Sequence, residues 1–201
     1  MIYLVGMGPG HIDYLTRDAI EVVTSVERCV AFGRIAETAR EVTRHVIAVQ
    51  KLDEVIKHIR HPGDTAVLAS GDACFYSILD HLKSRQISIA QIIPGITSFQ
   101  YMMCRLQISW QHATFFSLHG RHPNYYDIAA SDLSIILTDS QHKPDNISRK
   151  LAELGAEGTI YAGFDLSYDS EIIVEKSIGD PIPDLSSLAT VVVEIDTPNA
   201  A

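Results

Sequence analysis

The 201-residue chain lacks the sequence features of a membrane-spanning or secreted protein. None of its apolar runs approaches the roughly 18 residues that a transmembrane helix needs. The first residues, Met1-Ile-Tyr-Leu-Val-Gly6, contain neither a basic segment nor a small-residue cleavage site, so they do not predict a signal peptide. Together these absences favour a cytoplasmic protein that does not associate with membranes.

Cysteine is scarce as well, since Cys29, Cys74 and Cys104 are odd in number and form no C-x-x-C pair. This pattern favours a reducing compartment and disfavours a disulfide framework. Neither His58-x-x-His61 nor His119-x-x-His122 has a cysteine or acidic cluster beside it, so we predict no metal site. The G-x-S-x-G of serine hydrolases and the G-x-x-x-x-G-K of P-loop proteins are also missing.

Positive charge is limited, because 16 Lys and Arg residues stand against 25 Asp and Glu residues, for a net charge of -9. Such a balance disfavours binding to nucleic acids and to acidic membrane surfaces. The hydrophobic content of 46% is typical of a globular protein. If the ligand is an anion, the basic residues that bind it must gather locally.

The order of predicted elements changes about halfway along the chain. Over the first half, short apolar strands alternate with amphipathic helices, which predicts a parallel, helix-covered sheet. From Gly158 to Lys176 strands follow one another without a helix, which predicts antiparallel pairing in a mixed sheet. We therefore predict two α/β domains, residues 1–110 and 111–201, with the active site between them. The predicted strands are residues 2–5, 29–32, 45–49, 66–69, 87–93, 113–118, 134–138, 158–162, 171–176 and 190–195.

The stretch Ala66–Ser77 combines a buried strand with a turn of small residues, Ser70-Gly71-Asp72. Helical spacing resumes at Phe75 and Tyr76, and open α/β sheets bind ligands at such strand ends. Gly71 lets a ligand approach the backbone, and Asp72 offers a carboxylate for an amino or hydroxyl group. The alternative is an ordinary turn in which Asp72 caps the following helix. The local pattern leaves both interpretations open.

A second turn, Gly6-x-Gly8-Pro9-Gly10, follows the first predicted strand. It does not fit the dinucleotide fingerprint G-x-G-x-x-G, because His11 stands where the third glycine belongs and Pro9 has no backbone donor. No acidic residue ends the second strand, and these absences also disfavour an ordinary Rossmann-type methyltransferase. If the first and fourth strands are neighbours, this turn and Gly71 face the same site.

The segment Ser117–His122, S-L-H-G-R-H, places cationic side chains at the end of an apolar strand. His119, Arg121 and His122 can contact one anionic ligand together, since Gly120 leaves them accessible. The alternative is a solvated turn.

These segments together resemble the tetrapyrrole methylases, the S-adenosylmethionine-dependent enzymes of corrin and sirohaem synthesis. The resemblance rests on G-x-G-P-G at residues 6–10, S-G-D followed by aromatic residues at 70–76, and P-G-I-T-S at 94–98. S-L-H-G-R at residues 117–121 is typical of the branch that methylates carbon 5 of a precorrin. Residues 165–171 resemble that branch's later N-L-x-x-x-x-E pattern.

Two positions depart from the family patterns. Ala73 stands where the G-D-P loop usually has proline, and Asp165 stands where asparagine is usual.

The resemblance implies S-adenosylmethionine as cofactor, a tetrapyrrole (precorrin) as substrate, a homodimer, and neither a covalent intermediate nor a catalytic metal. It implies that the cofactor is bound by Pro9, Gly71, Asp72, Phe75, Tyr76, Thr97, Ser98, Leu137, Thr138 and Leu166. It implies that the carboxylates of the substrate are bound by His119, Arg121 and His122. In some relatives a decarboxylating C15-methyltransferase domain follows, and the end of the chain at Ala201 implies a separate partner for that step.

Two alternative functions stay open at this point. One is another member of the family, which methylates a different corrin carbon or a diphthamide precursor. The other is a non-enzymatic nucleotide-binding α/β module.

Overall fold

The computed structural model describes residues 1–118, 124–139 and 141–196 and confirms the predicted α/β architecture. The chain forms two compact units, Met1–Tyr101 and Met102–Ala201. The domain boundary after residue 110 and the active site between the domains stay predictions. Among the residues described, none of the helices combines the length and the apolarity that crossing a membrane requires.

The N-terminal unit contains a five-stranded parallel sheet with the order β3-β2-β4-β1-β5. Its strands are β1 (Ile2–Gly6), β2 (Arg28–Phe32), β3 (Val46–Val49), β4 (Thr65–Ala69) and β5 (Gln91–Ile93). Its helices are α1 (Arg17–Ser25), α2 (Gly33–Val42), α3 (Leu52–Ile59), α4 (Leu79–Ser84) and α5 (Ser98–Leu106), within which the two units divide. A short 3-10 helix, Ile12–Tyr14, precedes α1.

The central strands of this sheet are buried on both faces. Val5 and Leu68 belong to a core cluster that includes Val23 of α1, whereas Leu4 and Val67 belong to the cluster on the opposite face. Helices therefore cover both sides of β1 and β4, which explains why these strands are continuous apolar runs in the sequence. Strands β1 and β4 are direct neighbours, so the two glycine turns that follow them lie side by side.

The C-terminal unit contains a mixed five-stranded sheet with the order β6-β7-β10-β8-β9. Its strands are β6 (Thr114–Ser117), β7 (Leu133–Leu137), β8 (Gly158–Phe164), β9 (Ile172–Ser177) and β10 (Ala189–Ile195), and its helices are α6 (Tyr125–Ala129) and α7 (Pro144–Glu153). Strands β6 and β7 are parallel, and the other neighbours are antiparallel, including the predicted β8–β9 pair. Ile136, Ile160 and Val191 pack with Ile147 and Leu151 of α7 in one core cluster.

Two elements, α4 and β5, begin several residues later in the structure than the sequence pattern predicts. Helix α4 begins at Leu79, after Tyr76, whose φ of +48° cannot be part of a right-handed helix. Strand β5 begins at Gln91, because the N–H of Ile87 donates to the carbonyl of Leu82 and closes the end of α4. In both cases the local backbone, through the φ of Tyr76 and the hydrogen bond of Ile87, overrides the apolar pattern.

Candidate functional site

The turns that follow β1 and β4 contact each other through their backbones. The N–H of Gly71 donates to the carbonyl of Gly8 at 2.8 Å, and the N–H of Gly8 donates to the carbonyl of Gly71 at 3.2 Å. The N–H of Met7 donates to the carbonyl of Ala69 at 2.8 Å and continues the pairing of the two strands. The two glycine turns therefore form one surface at the carboxyl edge of the sheet.

The turn after β5 packs against the same backbone. A Cβ on Gly6 would lie 2.7 Å from both the carbonyl oxygen of Gly71 and the backbone nitrogen of Gly95. A Cβ on Gly95 would overlap the carbonyl oxygen of Gly71. Glycine is required at residues 6 and 95 because three backbone segments approach one another without room for side chains. The close packing of these backbone segments therefore explains the first glycine of G-x-G-P-G and the glycine of P-G-I-T-S.

Asp72 connects the turn after β4 to the turn after β5. Its Oδ1 accepts the N–H of Cys74 at 2.8 Å, and its Oδ2 accepts the N–H of Gly95 at 3.1 Å. Helix α4 begins seven residues further on, at Leu79, so the interpretation of Asp72 as a helix cap is wrong. Because each carboxylate oxygen has two lone pairs, these two bonds orient the side chain and leave it able to accept from a ligand.

Aromatic residues lie beside this turn. The ring of Phe75 lies 4.7 Å from that of Tyr76 and 5.0 Å from that of Phe99, measured between centroids. Tyr76 is 44% exposed and has a φ of +48°. A non-glycine residue in this conformation costs about 1–3 kcal/mol and persists where surrounding contacts impose it, often at functional sites. The strain at Tyr76 therefore supports a functional role for this loop.

Thr97 precedes α5 and caps its N-terminus through a reciprocal capping box with Gln100. Its Oγ1 accepts the N–H of Gln100 at 3.2 Å, and Oε1 of Gln100 accepts the N–H of Thr97 at 2.9 Å. The cap holds Thr97 in contact with Gly71, where a Cβ would lie 3.4 Å from Cα of Thr97. Pro9 is buried in the turn after β1, and Ser98 is the first residue of α5. The structure thus places the seven candidates of the N-terminal unit on three adjoining turns.

The remaining cofactor candidates, Leu137, Thr138 and Leu166, lie at one end of the strands of the C-terminal sheet, beside the start of β10. Leu137 ends β7, Leu166 follows β8, and antiparallel β10 begins between them at Ala189. Oγ1 of Thr138 donates to the carbonyl of Ala189 at 2.7 Å and lines a cavity of about 250 Å³. Lys143 and Asp184 form an ion pair in the lining of that cavity.

The side chain of Leu166 is only 5% exposed and packs on Gly163, where a Cβ would lie 2.8 Å from Cδ2 of Leu166. That position also lies 3.0 Å from Sδ of Met102. Glycine at residue 163 therefore leaves the space that Leu166 fills.

Glu171 and Arg105 together hold the turn after β8. Oε2 of Glu171 accepts the N–H of Ser167 at 2.7 Å, and its Oε1 lies 3.0 Å from Nε of Arg105 in α5. The family pattern pointed to Glu171, but nothing in the sequence pointed to Arg105.

The three candidates for the substrate site, His119, Arg121 and His122, lie outside the described residues, so their assignment stays a prediction. Within residues 1–118, 124–139 and 141–196, no group of three or more His, Cys, Asp or Glu side chains is arranged to hold a metal ion.

The geometry defines a class of protein, one with an α/β unit whose three adjoining glycine turns expose backbone at the carboxyl edge of a parallel sheet. Comparison with known families is more specific. The model of the Tetrapyrrole (Corrin/Porphyrin) Methylases matches residues 1–182, and the chain belongs to this family.

Individual relatives agree with this assignment. A Methanocaldococcus jannaschii protein named probable cobalt-precorrin-7 C(5)-methyltransferase is 29% identical over 192 residues, covering 89% of this chain and 90% of its own length. The structure of a precorrin-6Y methylase from Archaeoglobus fulgidus superposes with a TM-score of 0.76 at 21% identity, covering 98% of this chain and 99% of that one. A uroporphyrin-III C-methyltransferase from Thermus thermophilus, solved with S-adenosylhomocysteine, has a TM-score of 0.77 at 18% identity and covers 96% of each chain.

Proposed function

We propose that the protein is an S-adenosylmethionine-dependent methyltransferase that methylates carbon 5 of a cobalt-precorrin in cobalamin biosynthesis. The observation that carries the proposal is the backbone contact among the turns at Gly6, Gly71 and Gly95 in a chain of this family. The relative named as a C(5)-methyltransferase supports the choice of carbon. The S-L-H-G-R pattern at residues 117–121 supports the same choice.

The turns have the features that the cofactor requires. Gly71 presents backbone without a side chain, and Asp72 is held by two backbone N–H groups with acceptor capacity left for an amino or hydroxyl group. When bound, S-adenosylmethionine supplies a methyl group on a positively charged sulfur with a neutral leaving group. We propose that Pro9, Gly71, Asp72, Phe75, Tyr76, Thr97, Ser98, Leu137, Thr138 and Leu166 bind it.

In this proposal the residues of the chain orient and bind rather than react. A methyl transfer is an in-line displacement, so catalysis consists mainly of holding donor and acceptor carbon about 3–3.5 Å apart and aligned. The hydrogen bonds of Asp72 and the capping box of Thr97 suit that task, since they fix backbone that would otherwise move. The acceptor is an electron-rich ring carbon, and no covalent bond to the protein is needed.

For the substrate we propose that His119, Arg121 and His122 bind its carboxylates. The net charge of -9 means that such cations must be local. An arginine pairs bidentately with a carboxylate, and a charge-assisted hydrogen bond of about 1.5–3 kcal/mol corresponds to about a tenfold to hundredfold change in affinity. Arg121→Ala should therefore impair methylation while the affinity for S-adenosylhomocysteine stays near that of the wild type. Normal methylation by this variant, or loss of cofactor binding, would refute the assignment.

The proposal extends to the setting of the enzyme. We propose a homodimer in the cytoplasm, with the decarboxylating C15 methylation performed by a separate subunit. Support for the reducing compartment comes from Cys29, Cys74 and Cys104, which are all unpaired thiols. Support for the dimer is the resemblance to the family, and sedimentation at micromolar concentration tests it.

Two measurements test the proposed function. Calorimetry against S-adenosylhomocysteine, ATP and NAD should show binding of the first alone. Mass spectrometry after incubation with S-adenosylmethionine and late cobalt-precorrins should show one added methyl group, at carbon 5. Binding of ATP or NAD in place of S-adenosylhomocysteine would favour a nucleotide-binding module, and methylation elsewhere would favour another branch of the family.

A further inference from the structure

The turn Asp165–Glu171 between β8 and β9 contains two left-handed residues that are not glycine. Asp165 has a φ of +45° and Ser167 a φ of +71°. A residue with a β-carbon is unfavourable in this region, serine more so than aspartate, and surrounding contacts usually hold it there. Such strain concentrates at functional sites, and two side chains, Glu171 and Asp165, hold this turn.

Glu171 holds the second left-handed residue. One of its carboxylate oxygens accepts the backbone N–H of Ser167 at 2.7 Å, and the other lies 3.0 Å from Nε of Arg105. The side chain of Glu171 is 13% exposed, whereas that of Arg105 is 57% exposed. Arginine thus neutralises a carboxylate that is largely removed from water, and the carboxylate fixes the backbone of the turn.

The first left-handed residue, Asp165, is held through its own side chain. Its Oδ1 accepts the hydroxyl of Ser186 at 2.7 Å, and its Oδ2 accepts the hydroxyl of Ser170 at 3.3 Å. Leu166 lies between the two strained residues, and its buried side chain packs on Gly163. The position of Leu166 therefore depends on both carboxylates.

We propose that Glu171 and Arg105 are positioning residues that set the affinity for S-adenosylmethionine by holding the turn around Leu166. The inference rests on the proposed function, in which Leu166 belongs to the cofactor site. Neither side chain is assigned a contact with the cofactor; they act through the backbone of Ser167 and the adjoining Leu166.

The test is calorimetric titration of S-adenosylhomocysteine into the full-length wild type and five variants. Glu171→Ala removes both interactions. Glu171→Gln removes the charge and replaces one of the two acceptor oxygens with an NH2 group, which would face one of the two donors, Ser167 N–H or Arg105 Nε. Arg105→Ala removes the ion pair alone, and Arg105→Lys restores a charge. The matched control is Glu153→Gln, since Glu153 pairs with Lys150 inside α7 at 2.6 Å.

Loss of charge-assisted hydrogen bonds should raise the Kd of Glu171→Ala by about tenfold to hundredfold. Glu171→Gln should give a smaller rise, Arg105→Lys should recover most of the affinity that Arg105→Ala loses, and Glu153→Gln should match the wild type. A role confined to stability would leave Kd unchanged in a variant that urea unfolding shows to be fully folded at the temperature of the titration, because only an unfolded fraction would weaken the apparent affinity.

An unchanged Kd in folded Glu171→Ala would therefore overturn the positioning role. Failure of Arg105→Lys to recover affinity would overturn the part assigned to Arg105. If the wild type itself does not bind S-adenosylhomocysteine, the proposed function fails and the positioning role fails with it. A wild type that binds beside an unaffected Glu171→Ala separates the two, because only the positioning role is then refuted.

Discussion

A methyl group added at Gly71 tests the proposed cofactor site most directly. Gly71 has a φ of +64°, and its Cβ would lie 3.4 Å from Cα and 3.8 Å from Cβ of Thr97. These distances are ordinary van der Waals contacts, so the cost to folding comes mainly from the left-handed backbone, about 1–2 kcal/mol. Alanine is a better probe than valine, because a β-branched residue adds its own strain at positive φ. Gly71→Ala should therefore remain folded.

The chain contains a matched control for that backbone cost. Gly155, after α7, has a φ of +77°, and among the described residues no heavy atom would lie within 4 Å of an added Cβ. Gly71→Ala and Gly155→Ala should lose similar stability in urea unfolding, about 1–2 kcal/mol each. Only Gly71→Ala should lose affinity for S-adenosylhomocysteine, by about a hundredfold or more, since its methyl group occupies space beside the bound ligand. A folded Gly71→Ala that binds as tightly as Gly155→Ala would refute the cofactor assignment.

Three further predictions concern packing and titration. Gly95→Ala should lower the free energy of unfolding by about 1–3 kcal/mol more than Gly155→Ala does, because its Cβ would overlap the carbonyl of Gly71; equal urea midpoints would contradict this. Burial raises the pKa of the Cys29 thiol to about 12, so a thiol reagent at neutral pH should modify exposed Cys74 and Cys104 in the native protein and Cys29 only after unfolding. Burial, together with its hydrogen bond to Glu194, raises the pKa of Tyr161 to about 12, which favours the neutral phenol in the folded state. That contribution to stability is present below pH 10 and is lost as pH rises towards 12. Tyr161→Phe should flatten this loss when urea unfolding is followed against pH, and an undiminished loss in the variant would contradict the reasoning.

The central strands of the N-terminal sheet were predictable from sequence, because a strand that is buried on both faces consists of a continuous run of apolar residues. Val5 and Leu68 face one core cluster while Leu4 and Val67 face the other, so every position of β1 and β4 favours an apolar residue. The start of α4 was not predictable in the same way. Apolar spacing resumes at Phe75, but the backbone at Tyr76 is left-handed, and periodicity reports which side chains are buried rather than φ.

In the candidate site, too, local features were predictable from the sequence, whereas contacts between distant segments were not. Each glycine turn is visible locally as small residues after an apolar strand, and the order of the strands brings the turns together. The bond from the N–H of Gly95 to Asp72 and the ion pair of Arg105 with Glu171 join segments that are distant in sequence. Such partners depend on strand order and helix packing, and a single sequence carries no pattern for them.

The two departures from the family patterns have a physical explanation in the structure. Asparagine and aspartate are the non-glycine residues that best tolerate left-handed backbone, and Asp165 has a φ of +45°. An asparagine amide could also accept the hydroxyl of Ser186 that Asp165 accepts, so aspartate preserves what the position needs. Ala73 is buried in a core cluster, and the carboxylate of Asp72 accepts the N–H groups of Cys74 and Gly95 and so holds the loop in which the G-D-P pattern has proline. The bonds that the Asp72 carboxylate accepts therefore supply here a restraint comparable to the one that a proline ring supplies by fixing φ.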